Sequence, residues 1–74
     1  MMTIEKIVTI INSALNLKIN PSDLKKDEPL KNIGIDSLDF YNILLELEGV
    51  TGKKVSDDDS ERLKSIEDLV KFFS

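Results

Sequence analysis

Apolar residues recur at helical spacing in three separate segments of this chain and nowhere alternate over a useful length, so the pattern points to helices packed on one another rather than to a sheet. Ile4, Ile7, Val8, Ile11 and Leu15 lie on one face of a helix that Thr3 can cap and that runs to about Asn16. Phe40, Ile43, Leu44 and Leu47 repeat the spacing mid-chain, in a helix expected to start at Ser37, run to about Glu48 and be stopped by Gly49 and Gly52. Ile66, Leu69, Val70 and Phe73 form the last stripe, behind Ser65 and Asp68, which make a capping box with Asp in place of the usual Glu. A shorter turn is expected from Ser56, a good cap followed by Asp57, Asp58 and Asp59 at the end of a helix that favours acids. Residues 17–36 hold both prolines, one glycine and mixed charge. They read as a long crossover with one short turn from Ser22 to Lys26, pinned to the core by Leu24, Leu30 and Ile33. The expected fold is all-α, a small up-and-down bundle of three main helices plus one short helix, in a single domain spanning residues 1–74.

What such a bundle can do is narrowed first by what it lacks. Seventy-four residues are too few for a second core, and 41% hydrophobic with 32% charged residues is a soluble, globular composition. With no cysteine and no histidine the chain has no disulfide, no structural zinc site, no imidazole base and no thiol nucleophile. Stability rests on packing alone. Independent catalysis is not expected, because no serine has a partner that could activate it in the manner of a hydrolase triad. No apolar run approaches a bilayer span, and the N-terminus has neither a basic start nor a continuous apolar block, so a cytoplasmic protein without membrane insertion is expected. A net charge of −4 disfavours nucleic acid as a partner, since phosphates would be repelled.

Chemistry concentrates in Gly34-Ile35-Asp36-Ser37-Leu38-Asp39. A hydroxyl there stands at the start of the middle helix between two carboxylates, with a glycine three residues upstream where the chain must turn sharply or let another backbone approach. A serine in that place caps the helix and shows its side chain to solvent. A phosphate esterified to it would meet the unpaired N–H groups and the positive end of the helix dipole. The bland alternative is that Ser37 is an N-cap and nothing more, with Asp39 in the first turn.

The Asp-Ser-Leu motif, midway along the chain between a long loop and a helix, resembles that of the acyl carrier proteins, and the resemblance covers essentially the whole chain. In that family the motif serine bears a 4′-phosphopantetheine arm derived from coenzyme A, which implies Ser37 as the attachment point. It implies for Asp36 the role of helping a phosphopantetheinyl transferase and its magnesium engage. Gly34 belongs to the same implied site. The lack of a protein thiol fits, since any thioester must then be on the arm.

The middle helix also carries more apolar surface than packing needs. Leu38, Tyr41 and Leu45 form a second stripe beside the core face, together with Asn42 and Glu48. Either the buried face is wide, a reading open above all for Leu45, or this is a docking surface of exposed apolar residues ringed by carboxylates. Charge favours docking. Asp36, Asp39, Glu46 and Glu48 are the only charged residues in 36–48, and the remaining ten acids balance all ten bases, so the whole net charge resides on this segment. An ordinary solvated acidic face is the alternative. The family resemblance implies that this helix is the one partner enzymes grip, and Leu38, Asp39, Tyr41, Asn42, Leu45, Glu46 and Glu48 are its candidate contacts.

Departures from the family pattern bear on partner and cargo rather than on attachment. Asn42 stands where many fatty-acid carriers have an acid, and Glu46 where a small apolar residue is common. Thr51 replaces a frequent aromatic residue, Lys53 and Lys54 bring positive charge, and Phe40 and Tyr41 are bulky. The resulting expectation is a monomeric, non-enzymatic carrier of acyl thioesters for fatty-acid or related acyl-chain synthesis. Its expected partners are the transferase and acyl-loading and acyl-processing enzymes with basic docking patches. A specialised carrier of polyketide, peptide or aminoacyl thioesters is the alternative within the family, and an unmodified helical protein-binding adaptor the alternative outside it.

Overall fold

The computed structural model describes residues 1–74. Four α-helices follow in order: α1 (Ile4–Leu15), α2 (Ser37–Thr51), α3 (Asp57–Arg62) and α4 (Ile66–Phe73), with single 3₁₀ turns at Pro21–Asp23 and Leu30–Ile33 in the crossover. The bundle measures 28 × 23 × 21 Å. Each long helix begins where side-chain chemistry starts it. The Thr3 side chain accepts from Lys6 N–H, and α1 ends as Asn16 turns into the left-handed region at φ 55°. Ser65 Oγ accepts from Asp68 N–H at 3.2 Å while Asp68 Oδ2 accepts from Ser65 N–H at 3.1 Å, completing the expected capping box with the shorter carboxylate.

One core lies where α1 packs against α2 and α4. Ile7, Val8 and Ile11 of α1 meet Ile43, Leu44 and Leu47 of α2 and Ile66, Leu69 and Phe73 of α4, all buried. Leu30, Ile35 and Leu63 close it from the loops, and Met2 from the N-terminus. Leu24 and Ile33 are half-buried against it, as is Phe40, which leans on the core edge rather than filling its centre.

The crossover is stitched at both ends. Asn12 reaches from α1 to the Ile19 backbone with two 2.9 Å hydrogen bonds, donating to its carbonyl and accepting from its N–H. Leu30 N–H donates to Lys64 O and Glu67 N–H to Lys26 O, each at 2.8 Å. The second bond satisfies one of the first-turn donors of α4 that no intrahelical carbonyl can reach.

Two local expectations are corrected. The short turn does not span Ser22–Lys26; it is the 3₁₀ turn Pro21–Asp23, because Asn20 caps it through Ser22 N–H and Pro21 presets the first position. Gly49 does not stop α2, which continues to Thr51 and ends only at Gly52, in the left-handed region at φ 75°. An isolated glycine weakens a helix by about 1 kcal/mol without breaking it, and the Thr51 hydroxyl donates to Leu47 O across the last turn. Lys53, which brings positive charge after α2, also serves the fold: its ammonium donates to Phe72 O at 2.6 Å and lies 4.3 Å from the Phe72 ring centre, tying the α2–α3 loop to the end of α4.

Burial separates the two faces of α2 in a testable way. Ile43→Ala, at a fully buried position, is expected to cost about 2 to 5 kcal/mol, a large part of the roughly 5 to 15 kcal/mol that holds a typical domain together. Phe40→Ala should cost less, and Leu38→Ala should fall within about 0.5 kcal/mol of wild type. Urea denaturation followed by circular dichroism measures all three; a Leu38 effect larger than that of Ile43 would invert the faces.

Candidate functional site

The segment leading into α2 is set residue by residue. Gly34 closes the 3₁₀ turn Leu30–Ile33 in the left-handed region, at φ 89°, its N–H bonded back to Lys31 O at 3.2 Å. Nothing lies within 4 Å of where a Cβ would stand, so the glycine serves the turn and not a close approach. Ile35 then plunges into the core at 4% exposure, its N–H bonded to Leu30 O at 3.3 Å. Its burial fixes where the next two residues emerge.

Asp36, not Ser37, caps α2. Its backbone is extended at φ −81° and ψ 179°, its Oδ1 accepts from Asp39 N–H at 2.8 Å, and its carbonyl accepts the first helical bond from Phe40 N–H at 2.9 Å. Ser37 is therefore the first helical residue. Its side chain is exposed and is not spent on the cap. The expectation of a serine cap fails because Asp and Ser cap about equally well and the register set by Ile35 places the carboxylate first.

Beside Ser37 opens a groove of about 650 Å³. Ile35, Phe40, Tyr41 and Leu44 line it from the α2 side, Leu63 and Ser60 from the α3 side, and Pro29 and Leu30 from the crossover. Asp36 and Ser37 stand at this groove, which no single segment of the sequence foreshadows because its walls come from three elements. Its one local signal is the pair of bulky residues Phe40 and Tyr41.

The candidate docking residues divide. Leu38, Tyr41 and Leu45 are 70%, 59% and 47% exposed, which decides the open position of Leu45 in favour of solvent. Asn42 and Glu46 are exposed with them. Of the six exposed large apolar residues, four lie on α2, the fourth being Val50, which the second stripe did not include. Asp39 is half-buried, and together with Asn42 it borders a second recess against Leu15, Asn16 and Leu17. Glu48 is spent internally, its Oε2 accepting from Val55 N–H at 2.7 Å, so it orders the α2–α3 loop. Asp36, Asp39, Glu46 and Glu48 form no ion pair; the one in the chain joins Lys71 to Glu67 at 3.5 Å on α4. The α2 charge is left uncompensated within the chain.

Chemically, the site offers an exposed primary hydroxyl at the positive end of a fifteen-residue helix, an apolar groove next to it, and acids and apolar side chains displayed along the same helix. Because Asp36 holds the cap, Ser37→Ala is expected to change stability by no more than about 0.5 kcal/mol, measured by urea denaturation; a loss of about 1 kcal/mol or more would make the serine hydroxyl part of the cap after all.

A protein-family model described as "Phosphopantetheine attachment site" matches residues 5–73. The chain is similar to the acyl carrier protein of Phytoplasma australiense, 33% identical over 69 residues, covering 93% of this chain and 90% of the relative. It is also similar to the acyl carrier protein of Chlamydia trachomatis serovar L2, 32% identical over 57 residues, covering 76% of this chain and 74% of the relative.

Proposed function

The chain belongs to the phosphopantetheine attachment-site family and is a carrier with a covalently attached 4′-phosphopantetheine, and we propose that Ser37 is the residue that bears it. The observation that supports this reading is the Ser37 hydroxyl itself, exposed at the first position of α2 and released from capping by Asp36. The residues present fit the group. The phosphodiester would lie where backbone N–H groups are unpaired and the helix dipole is positive, and the groove gives an apolar surface within reach. When bound, the arm supplies a terminal thiol that holds an acyl group as a thioester. Ser37 Oγ gives up its proton and forms the bond to phosphorus, with adenosine bisphosphate leaving from coenzyme A.

The rest of α2 acts on partners. Asp36, Asp39 and Glu46, unpaired within the chain, are suited to basic docking patches on the transferase and on acyl-loading and acyl-processing enzymes, steering encounter more than adding affinity. Leu38, Tyr41 and Leu45 supply the apolar contacts. Phe40, Leu44 and Leu63 give the groove walls that would shelter an apolar cargo from water. On this reading the protein is a monomeric cytoplasmic carrier that performs no catalysis of its own and serves fatty-acid or related acyl-chain synthesis. A specialised polyketide, peptide or aminoacyl carrier is the second reading, favoured by exposed Asn42 and Tyr41 in the docking face.

Incubation with coenzyme A, magnesium and a broad-specificity transferase should add the mass of one phosphopantetheine to wild type and none to Ser37→Ala. An arm on another residue, or no mass change with a transferase active on a control carrier, refutes the assignment.

Pathway is tested separately with the loaded carrier. If the docking face is tuned away from general fatty-acid enzymes, Asn42→Glu should accept malonyl groups from a general malonyl transferase faster than wild type. One rim charge changes binding by about 1 kcal/mol or less, so a gain of up to about fivefold is expected. Equal initial rates remove the support for a specialised carrier. Lys53 is unsuited to this test, since its reversal would also break the contact with Phe72.

A further inference from the structure

We propose that Asp36 is a positioning residue for Ser37: by taking the helix cap itself, it keeps the neighbouring hydroxyl out of the backbone and available for modification. This rests on Ser37 being the attachment point. Asp36 and Ser37 are adjacent, and either can cap a helix. Whichever is the cap turns its side-chain oxygen inward, onto an N–H three residues on. In the structure that oxygen is Asp36 Oδ1, 2.8 Å from Asp39 N, and Ser37 is helical and exposed. Moving the cap one residue would take Ser37 out of the helix and point its Oγ at Phe40 N–H, the group that now donates to Asp36 O at 2.9 Å.

The upstream side cannot absorb such a shift. Ile35 is buried and bonded to Leu30 O, and Gly34 already occupies the left-handed region. Competition is therefore confined to the two residues between Ile35 and Leu38. With alanine at position 36, Ser37 becomes the better cap by about fivefold in population, the equivalent of about 1 kcal/mol for a cap. Only about one chain in six would then keep the hydroxyl free, and a reaction that needs it free slows by the same factor. A purely electrostatic role for the Asp36 carboxylate, attracting the transferase or its magnesium, makes a different prediction, since asparagine keeps the cap and loses the charge.

The test compares initial rates of phosphopantetheine transfer for wild type, Asp36→Asn, Asp36→Ser and Asp36→Ala at low and high salt, with helicity followed by circular dichroism. Charge effects fade with salt and a cap effect does not. Asp36→Ala loses both charge and cap, so it should be slowest at low salt and still about fivefold slow at high salt, with its helicity kept. Asp36→Asn and Asp36→Ser, both good caps, should come within about twofold of wild type at high salt. A second readout needs no transferase. Ser37→Ala should leave the unfolding equilibrium near wild type when Asp36 is present, and shift it about fivefold toward unfolding in the Asp36→Ala background, where the serine has become the cap. Asp36→Asn as slow as Asp36→Ala at high salt, or Ser37→Ala equally neutral in both backgrounds, overturns the proposal. Failure of the attachment reading is distinct: wild type would gain no mass, or Ser37→Ala would still gain it.

Discussion

Two backbone hydrogen bonds, from Leu30 N–H to Lys64 O and from Glu67 N–H to Lys26 O, hold the crossover against the junction of α3 and α4. Much of the site's geometry follows from them. They bring Pro29 alongside Ser65, seat Leu30 in the core and leave Ile35 to follow it inward. With Ile35 buried, Asp36 and Ser37 must emerge together at the start of α2, and the groove acquires its third wall. A domain with no disulfide and no metal-binding cysteine or histidine relies on such short tethers to order a long loop, because each residue fixed costs about 1 to 2 kcal/mol of backbone entropy.

Helix α2 answers two demands that pull in different directions. Ile43, Leu44 and Leu47 must be buried for the bundle to exist, and Leu38, Tyr41, Leu45 and Val50 stay in water on the same helix. Exposed apolar residues and unpaired like charges both work against solubility or helix stability in isolation. On the proposed function, a partner surface that is basic and apolar would resolve both. The helix is held in place despite this by the core on one side and by Glu48, which clasps the Val55 backbone, on the other.

The local chemistry of the fold was legible where one residue and its near neighbours decide it. Thr3, Ser56 and the Ser65–Asp68 pair cap the helices that their sequence neighbourhoods announce, and the three apolar stripes supply most of the core. Where two local rules competed, sequence alone could not choose. Asp36 and Ser37 are both caps, Gly49 and Gly52 both stops, and in each case the winner was set by what lies outside the segment or by the next turn of helix. Ile35, Leu63 and Met2 joined the core without belonging to any stripe, because loop residues are buried by the elements that close over them and not by periodicity.

The sequence by itself determined that the chain is helical, that it lacks a histidine or cysteine for catalysis, that its net charge lies on one helix, and that a serine stands at that helix's start. These are properties of composition and of spacing along one segment, and they need no knowledge of neighbours. Tertiary structure alone decided that the serine hydroxyl is free, that Glu48 and Lys53 serve the fold, and that an apolar groove opens beside Ser37. The last two depend on groups far apart in the chain: Lys53 meets Phe72, and the groove joins Pro29 to Lys64. Such pairings are chosen by the packing of the whole bundle, whose free energy is shared by all its elements and written in none of them.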